Sequence, residues 1–153
     1  MIGPVLDRAL ETALTLLRAD RGNIQIVDPA TGALRIAVHH GFSAAFLEYF
    51  AIIGDDGSAC GRAATGLSPT VIADVRADPG FEPHREIAVS SRFQPVQSTP
   101  LIDQTGRLVG MISTHYPRPY RPPDRDLWII QQFGRLVGAA MTAGWDSPPP
   151  EVG

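Results

Sequence analysis

Residues 97–115 read QSTPLIDQTGRLVGMISTH, two β-rich runs around a polar tetrapeptide. Gln97 to Ile102 and Leu108 to His115 flank Asp103-Gln104-Thr105-Gly106. Those four residues offer side-chain hydrogen bonds and a positive φ, so the stretch predicts an antiparallel hairpin. A glycine inside a strand is costly unless another segment approaches closely. Gly110 therefore assigns its face, with Leu108 and Ile112, to a packed helical layer, and leaves Met111, Ser113 and His115 on the opposite face. Pairing Ile102 with Arg107 sets Ser98 opposite Met111 and Val96 opposite Ser113. A slip of one residue would exchange the two faces.

Working outward, the same chemistry recurs earlier. Asn23 to Asp28 and Leu34 to His39 flank Asp28-Pro29-Ala30-Thr31-Gly32, which predicts a first hairpin. Residues 4–18 carry Leu6, Leu10, Ala13, Leu14 and Leu17 at the spacing of an amphipathic helix. Between the hairpins, Ser43 to Ile53 reads as a helix capped by Ser43, with Phe46, Tyr49, Phe50 and Ile53 on one face. In the stretch DGSACGR, residues 56–62, Ser58 reads as the cap of a short helix, Ala59 to Thr65, that Gly66 ends. Thr70 to Val75 is an expected edge strand, Ala77-Asp78-Pro79-Gly80 a turn, and His84 to Ser91 a polar helix. Pro122-Pro123-Asp124 starts the last helix, whose apolar stripe runs from Leu127 to Met141. The order of elements predicts an α+β domain over residues 1–145: an antiparallel sheet, the terminal helices on one face, short helices and loops forming a pocket on the other. The Pro-rich residues 146–153 are expected to be a disordered tail.

Composition narrows the function classes. A chain of 153 residues, 44% apolar and 19% charged, is the size of one domain with one core. No run approaches the roughly 18 apolar residues of a membrane span, and the first residues lack a signal-peptide pattern, so a cytoplasmic protein is expected. The chain has no lysine, which excludes a P-loop. Its arginines are scattered and the net charge is −3, which argues against a nucleic-acid groove or an anionic membrane surface. A single cysteine makes no internal disulfide.

Several of these pieces together resemble a GAF domain, the small-molecule-binding sensory module of bacterial signalling proteins. They are Ala19-Asp20-Arg21-Gly22-Asn23-Ile24-Gln25, Ser58-Ala59-Cys60-Gly61-Arg62-Ala63, Val71-Ile72-Ala73-Asp74-Val75, and Ser98-Thr99-Pro100-Leu101 leading into Leu108 to His115. The resemblance covers Leu6 to Met141. It implies a sensor without catalysis that binds an unknown small molecule and signals through its terminal helices. It also implies a homodimer through those helices, with Trp128, Ile129 and Leu136 facing outward, and a kinase or cyclase output module if the chain is part of a longer one.

The expected ligand site has Phe46, Tyr49, Phe50 and Phe93 as walls. Met111 and Cys60 line it, Ser98 and Ser113 are its hydroxyl partners, and His115 is its polar anchor. Cys60 reads as a small buried residue, since no base stands beside it in sequence. GAF-like free-methionine sulfoxide reductases use several cysteines, and this chain has one. His115 matches the position of a histidine that faces the bilin in phytochrome-type GAF domains, yet the Asp-Ile-Pro motif of those proteins is absent. Haem ligation by His115, His39 or His40 is a further alternative, as is a structural dimerisation module whose pocket has closed over its own side chains. Cyclic nucleotides are disfavoured by the missing lysine. Arg62, Arg85 and Arg92 are candidates for an anionic ligand, with solvated surface charges as the simpler reading. Asp74, Asp78, Glu82, His84 and Glu86 read as a polar helix start rather than a metal site, because His84 and Glu86 do not share a helical face. No cofactor or metal is expected.

Overall fold

The computed structural model describes residues 3–53, 59–92, 95–116, 118 and 120–146, with Ile52, Ile53, Ala59, Cys60, Arg62 and residues 144–146 described by backbone alone. In chain order the elements are α1 (Gly3–Leu17), β1 (Arg21–Val27), β2 (Leu34–His40), α2 (Ala44–Tyr49), β3 (Ile52–Ile53), α3 (Ala59–Gly66) and β4 (Thr70–Ile72). A 3-10 helix (Pro79–His84), α4 (Arg85–Ser91), β5 (Val96–Ile102), β6 (Leu108–His115) and α5 (Asp124–Asp146) follow. The strands form one antiparallel sheet in the order β3-β2-β1-β6-β5-β4. This is the α+β architecture the sequence predicts.

The two faces carry separate cores. On one, Leu6, Leu10, Ala13 and Leu17 of α1 and Ile130, Val137 and Met141 of α5 cover Ile24, Leu101 and Ile112. On the other, Phe46, Phe50, Ala63, Phe81 and Ala88 cover Leu34, Ile72, Val96 and Met111. The period of two along β1 and β6 thus sorts apolar residues into both layers.

Four local expectations are corrected. Ile53 does not extend the helical face of Phe46 and Phe50; it pairs with Leu34 in β3, as suits a β-branched residue at a sheet edge. The second hairpin sets Ser98 opposite Ser113 and Val96 opposite His115, with Ile102 opposite Leu108. The turn is a residue longer than expected, and a register shift lies between Leu101 and Ile102. The two displacements add to an even slip, so Met111, Ser113 and His115 keep their face. Leu108, beyond the shift, packs with the Phe46 layer, and Val109 takes its place against the terminal helices. At the end of α3 the left-handed position belongs to Leu67, φ +50°, rather than to Gly66.

Gly110 is needed for a different close approach than expected. A Cβ there would lie 2.5 Å from the carbonyl oxygen of Gln25 on β1. The helical layer makes its own approach with glycines of α5: a Cβ on Gly134 would lie 2.7 Å from the Pro100 oxygen, and one on Gly138 2.4 Å from the Ile102 oxygen. These two residues seat α5 directly on the β5 backbone.

Under the terminal helices runs a buried polar relay. Gln97 Nε2 donates to Thr114 Oγ1 at 3.2 Å, and Thr99 donates to Gln97 Oε1. Thr114 Oγ1 donates to Tyr116 OH at 3.3 Å, and that hydroxyl donates to the Leu17 carbonyl at 3.0 Å. Burial pushes the Tyr116 phenol up to about 12, so it remains a donor at neutral pH. One of the orphan carbonyls at the end of α1 is thereby satisfied from β6.

Candidate functional site

The opposite face of the sheet holds polar side chains where the alternation alone would place apolar ones. Asn23 of β1 lies opposite Ser113 of β6, which lies opposite Ser98 of β5. All three are buried, Asn23 at 1% exposure. The two serine hydroxyls share a hydrogen bond of 2.7 Å. Asn23 Oδ1 is buried with no hydrogen-bond donor among the described residues. Such an acceptor is uncommon in a folded interior and marks a place where a donor is wanted.

One step along the sheet, His115 lies opposite Arg21 and Val96. Its ring meets the edges of an aromatic roof, 5.0 Å from the Phe42 centroid and 5.4 Å from that of Phe46. Phe42 and Phe46 are themselves stacked at 4.0 Å. Burial first, and the positive charge of Arg21 second, push the His115 pKa down to about 3. The imidazole is therefore neutral at pH 7. Arg21 donates to the carbonyls of Ser91 and Arg92, where Arg92 turns left-handed at φ +57° to end α4. The guanidinium thus clamps the negative end of α4 over the sheet.

The residues singled out from the sequence fall into three groups. Phe46, Phe50 and Met111 share one buried cluster, Ser98 and Ser113 are bonded to each other, and His115 lies beneath Phe46. Tyr49 stands apart as an outer brace: it is 47% exposed, its hydroxyl donates to the Pro83 carbonyl at 3.1 Å and lies 2.8 Å from His84 Nδ1. Phe93 and Ser58 lie outside the described residues, as does the side chain of Cys60, whose backbone is in α3.

The alternative ligands fare as follows. A haem plane against His115 would have to displace both Phe42 and Phe46. His39 and His40 are exposed at the end of β2. Arg85 spends its guanidinium on the Asp78 carbonyl at 2.9 Å, and Arg92 is exposed. Among the described residues no three His, Cys, Asp or Glu side chains gather as a metal site. Asp74 pairs instead with Arg76 at 2.8 Å.

Sequence reasoning missed Asn23, Phe42 and Phe81, and it read His84 as part of a polar helix start, whereas His84 is buried against Tyr49. The signal for Asn23 was present: it alternates with Ile24 and Ile26, so once those face the terminal helices Asn23 must face inward on the other side. Phe42 and Phe81 follow turns, where no periodicity reports burial.

The GAF domain family profile matches residues 4–142. A comparison with curated proteins gives no match. Among solved structures, the chain is similar to the domain of a two-component sensor histidine kinase protein from Sinorhizobium meliloti 1021, with a TM-score of 0.78 at 21% identity over 95% of this chain and 94% of that one. It is similar to the GAF domain of a phosphoenolpyruvate-protein phosphotransferase from Coxiella burnetii, with a TM-score of 0.79 at 15% identity over 94% and 84% of the two chains. It is also similar to a free methionine-R-sulfoxide reductase from Neisseria meningitidis, solved in complex with its substrate, with a TM-score of 0.72 at 18% identity over 93% and 81%. At such identities the structural likeness is one of fold, whereas the profile spans nearly the whole sequence. The chain belongs to the GAF domain family.

Proposed function

We propose that the chain is a sensory domain that binds a small, neutral, hydrogen-bonding molecule against the Asn23–Ser113–Ser98 row and passes its occupancy to the terminal helices. The observation that carries the reading is the buried Asn23 Oδ1 without a donor among the described residues, beside two hydroxyls that can donate or accept. The neutral His115 supplies a further polar contact and Phe46, Phe50 and Met111 the apolar walls. A charged ligand fits poorly, since burial already drives His115 to its neutral form. Phe93 and Cys60 complete the site as proposed from the sequence.

In this reading the chain acts by binding; against a thiol-based reductase stands its single cysteine, which leaves no second thiol of its own to resolve a sulfenic acid. No helix among the described residues is long and apolar enough to cross a membrane, in keeping with a cytoplasmic signalling role in a bacterium. Exposed Trp128 (62%) and Leu136 (70%) on α5 support a homodimer through the terminal helices. The structural similarity to a sensor histidine kinase domain supports a kinase or related output module. Residues 1–145 form the sensory unit and 146–153 its tail.

The test is a thermal-shift screen of neutral metabolites, with native mass spectrometry of the protein as purified. A ligand at about a hundred times its dissociation constant stabilises the folded state by about 2.7 kcal/mol, and Asn23→Leu should abolish that shift. A protein of apo mass that no compound stabilises would refute the sensory reading. It would favour a structural module whose chamber is filled by its own side chains, a second reading supported by the 4.0 Å stack of Phe42 on Phe46 over His115.

A further inference from the structure

The β1–β6 ladder ends at Ile26 opposite Gly110, but both hairpins continue past it, to Val27 opposite Leu34 and to Ile102 opposite Leu108. Each hairpin carries a register shift close to this point, the first just before it, between Ile24 and Gln25, and the second just beyond it, between Leu101 and Ile102. Such irregularities bend and twist the strands that bear them. Between the two hairpin ends lies a cavity of about 760 Å³, within the usual range for small-molecule sites. It reaches both layers of the domain. Val27 and Leu108, which line it, pack with the Phe46 core, whereas Ile26 and Val109, also in its lining, pack with the terminal-helix core.

The charged groups around it are unequally engaged. Asp28, Arg35 and Arg107 line the cavity. Arg35 Nε is paired with Asp28 Oδ2 at 3.1 Å, and the Asp28 carboxyl is held below its ordinary range by the Ala30 amide and by Arg35. That pair is neutral as a unit. Arg107 is exposed and belongs to none of the salt bridges among the described residues. The nearby Asp103 has Oδ1 occupied by the Thr105 amide and hydroxyl and by the Arg107 amide; its charge acts on Arg107 through space without a hydrogen bond to the guanidinium.

We infer that this cleft is a second binding site, for a small carboxylic acid with an apolar body, the body on Ile26, Val27, Leu108 and Val109 and the carboxylate on Arg107. A planar guanidinium matches a carboxylate in a two-point fork, and beside the Asp28 and Asp103 carboxylates a monoanion fits better than a dianionic phosphate. The site lies apart from the Asn23–Ser113–Ser98 row and stands or falls independently of the sensory reading.

The experiment is a titration of the ¹⁵N-labelled full chain with 4-phenylbutyrate and, separately, with the neutral 4-phenylbutan-1-ol, followed by amide chemical shifts. The acid should shift Val27, Leu108 and Val109 saturably. Arg107→Gln, an exposed change, should weaken the acid about tenfold and leave the alcohol unaltered, and Pro29→Trp, which fills the cavity from its rim, should weaken both. The inference is overturned if neither compound shifts these amides, if Arg107→Gln leaves the acid's affinity unchanged, or if the shifts fall on Ser98, Ser113 and His115 instead.

Discussion

Lowering the pH should destabilise this fold through one residue. His115 is buried, and burial together with the charge of Arg21 lowers its pKa from 6.5 to about 3. Between those two values the unfolded chain binds a proton that the folded chain refuses, so stability falls as pH falls through the window. From pH 7 to pH 5 the loss is about 2 kcal/mol, and it grows to about 4 to 5 kcal/mol near pH 3. The surface carboxyls Asp28, Asp74 and Asp103, whose pKa values lie below the ordinary 3.8, begin to cost stability only as pH approaches and passes below that value, so the pH 7 to 5 interval isolates the histidine from them. The assay is urea unfolding at pH 7 and pH 5 for the wild type and His115→Phe. The variant's stability at pH 7 can shift either way, because a phenyl ring changes the packing against Phe42 and Phe46. What matters is the difference between the two pH values, which should shrink by about 2 kcal/mol in the variant. Equal pH dependence in both proteins, or an imidazole that titrates near 6.5 by NMR, would refute the argument.

Three further outcomes follow from packing and hydrogen bonding. Gly138→Ala places a methyl 2.4 Å from the Ile102 oxygen and 2.6 Å from its carbonyl carbon and nitrogen; since backbone cannot yield, α5 must lift from β5, lowering stability by about 1–3 kcal/mol in denaturant unfolding. Tyr116→Phe leaves the Leu17 carbonyl without its donor and Thr114 without its acceptor, and should cost about 1–3 kcal/mol in the same assay. Trp128→Glu with Leu136→Glu, both exposed, should leave monomer stability within about 0.5 kcal/mol and, under the proposed homodimer, shift the sedimentation equilibrium from dimer to monomer.

The architecture was legible because it is written in periodicity. Apolar spacing located α1 and α5, and two Gly-bearing turns located both hairpins, the features that tertiary packing least overrides. The face assignment of β6 survived a wrong register because the slip was even, and parity alone decides which face a strand residue takes. Leu108 escaped because a bulge is a local count of residues that no composition announces. The site was half legible. Ser113 and His115 share a face with Met111, opposite the one that Gly110 and Ile112 mark, and so declared polar residues on that face, whereas the roof depends in part on Phe42, placed by a turn rather than by any repeat. Tyr49 stands apart from Phe46 and Phe50 for a related reason: helical spacing groups the three, but α2 is only six residues long, and its outer face meets the 3-10 helix through the Tyr49–His84 contact.

The same alternation bears on how the two faces communicate. Ser98 opposite Ser113 and Gln97 opposite Thr114 are adjacent rungs of one ladder, one rung facing the Phe46 layer and the other the terminal helices. Under the sensory reading, a molecule that separates the serine hydroxyls would strain the bond from Gln97 to Thr114, and through Thr114 and Tyr116 the hydrogen bond to the end of α1. The coupling can be no stronger than the weakest link, the 3.3 Å contact of Thr114 with Tyr116, worth about 1 kcal/mol. That bounds the reciprocal effect at about a fivefold change in affinity when α1 is fixed in one arrangement. Tyr116→Phe removes this link without touching the Asn23–Ser113–Ser98 row, so under the sensory reading it should preserve ligand binding while severing that route to the helices.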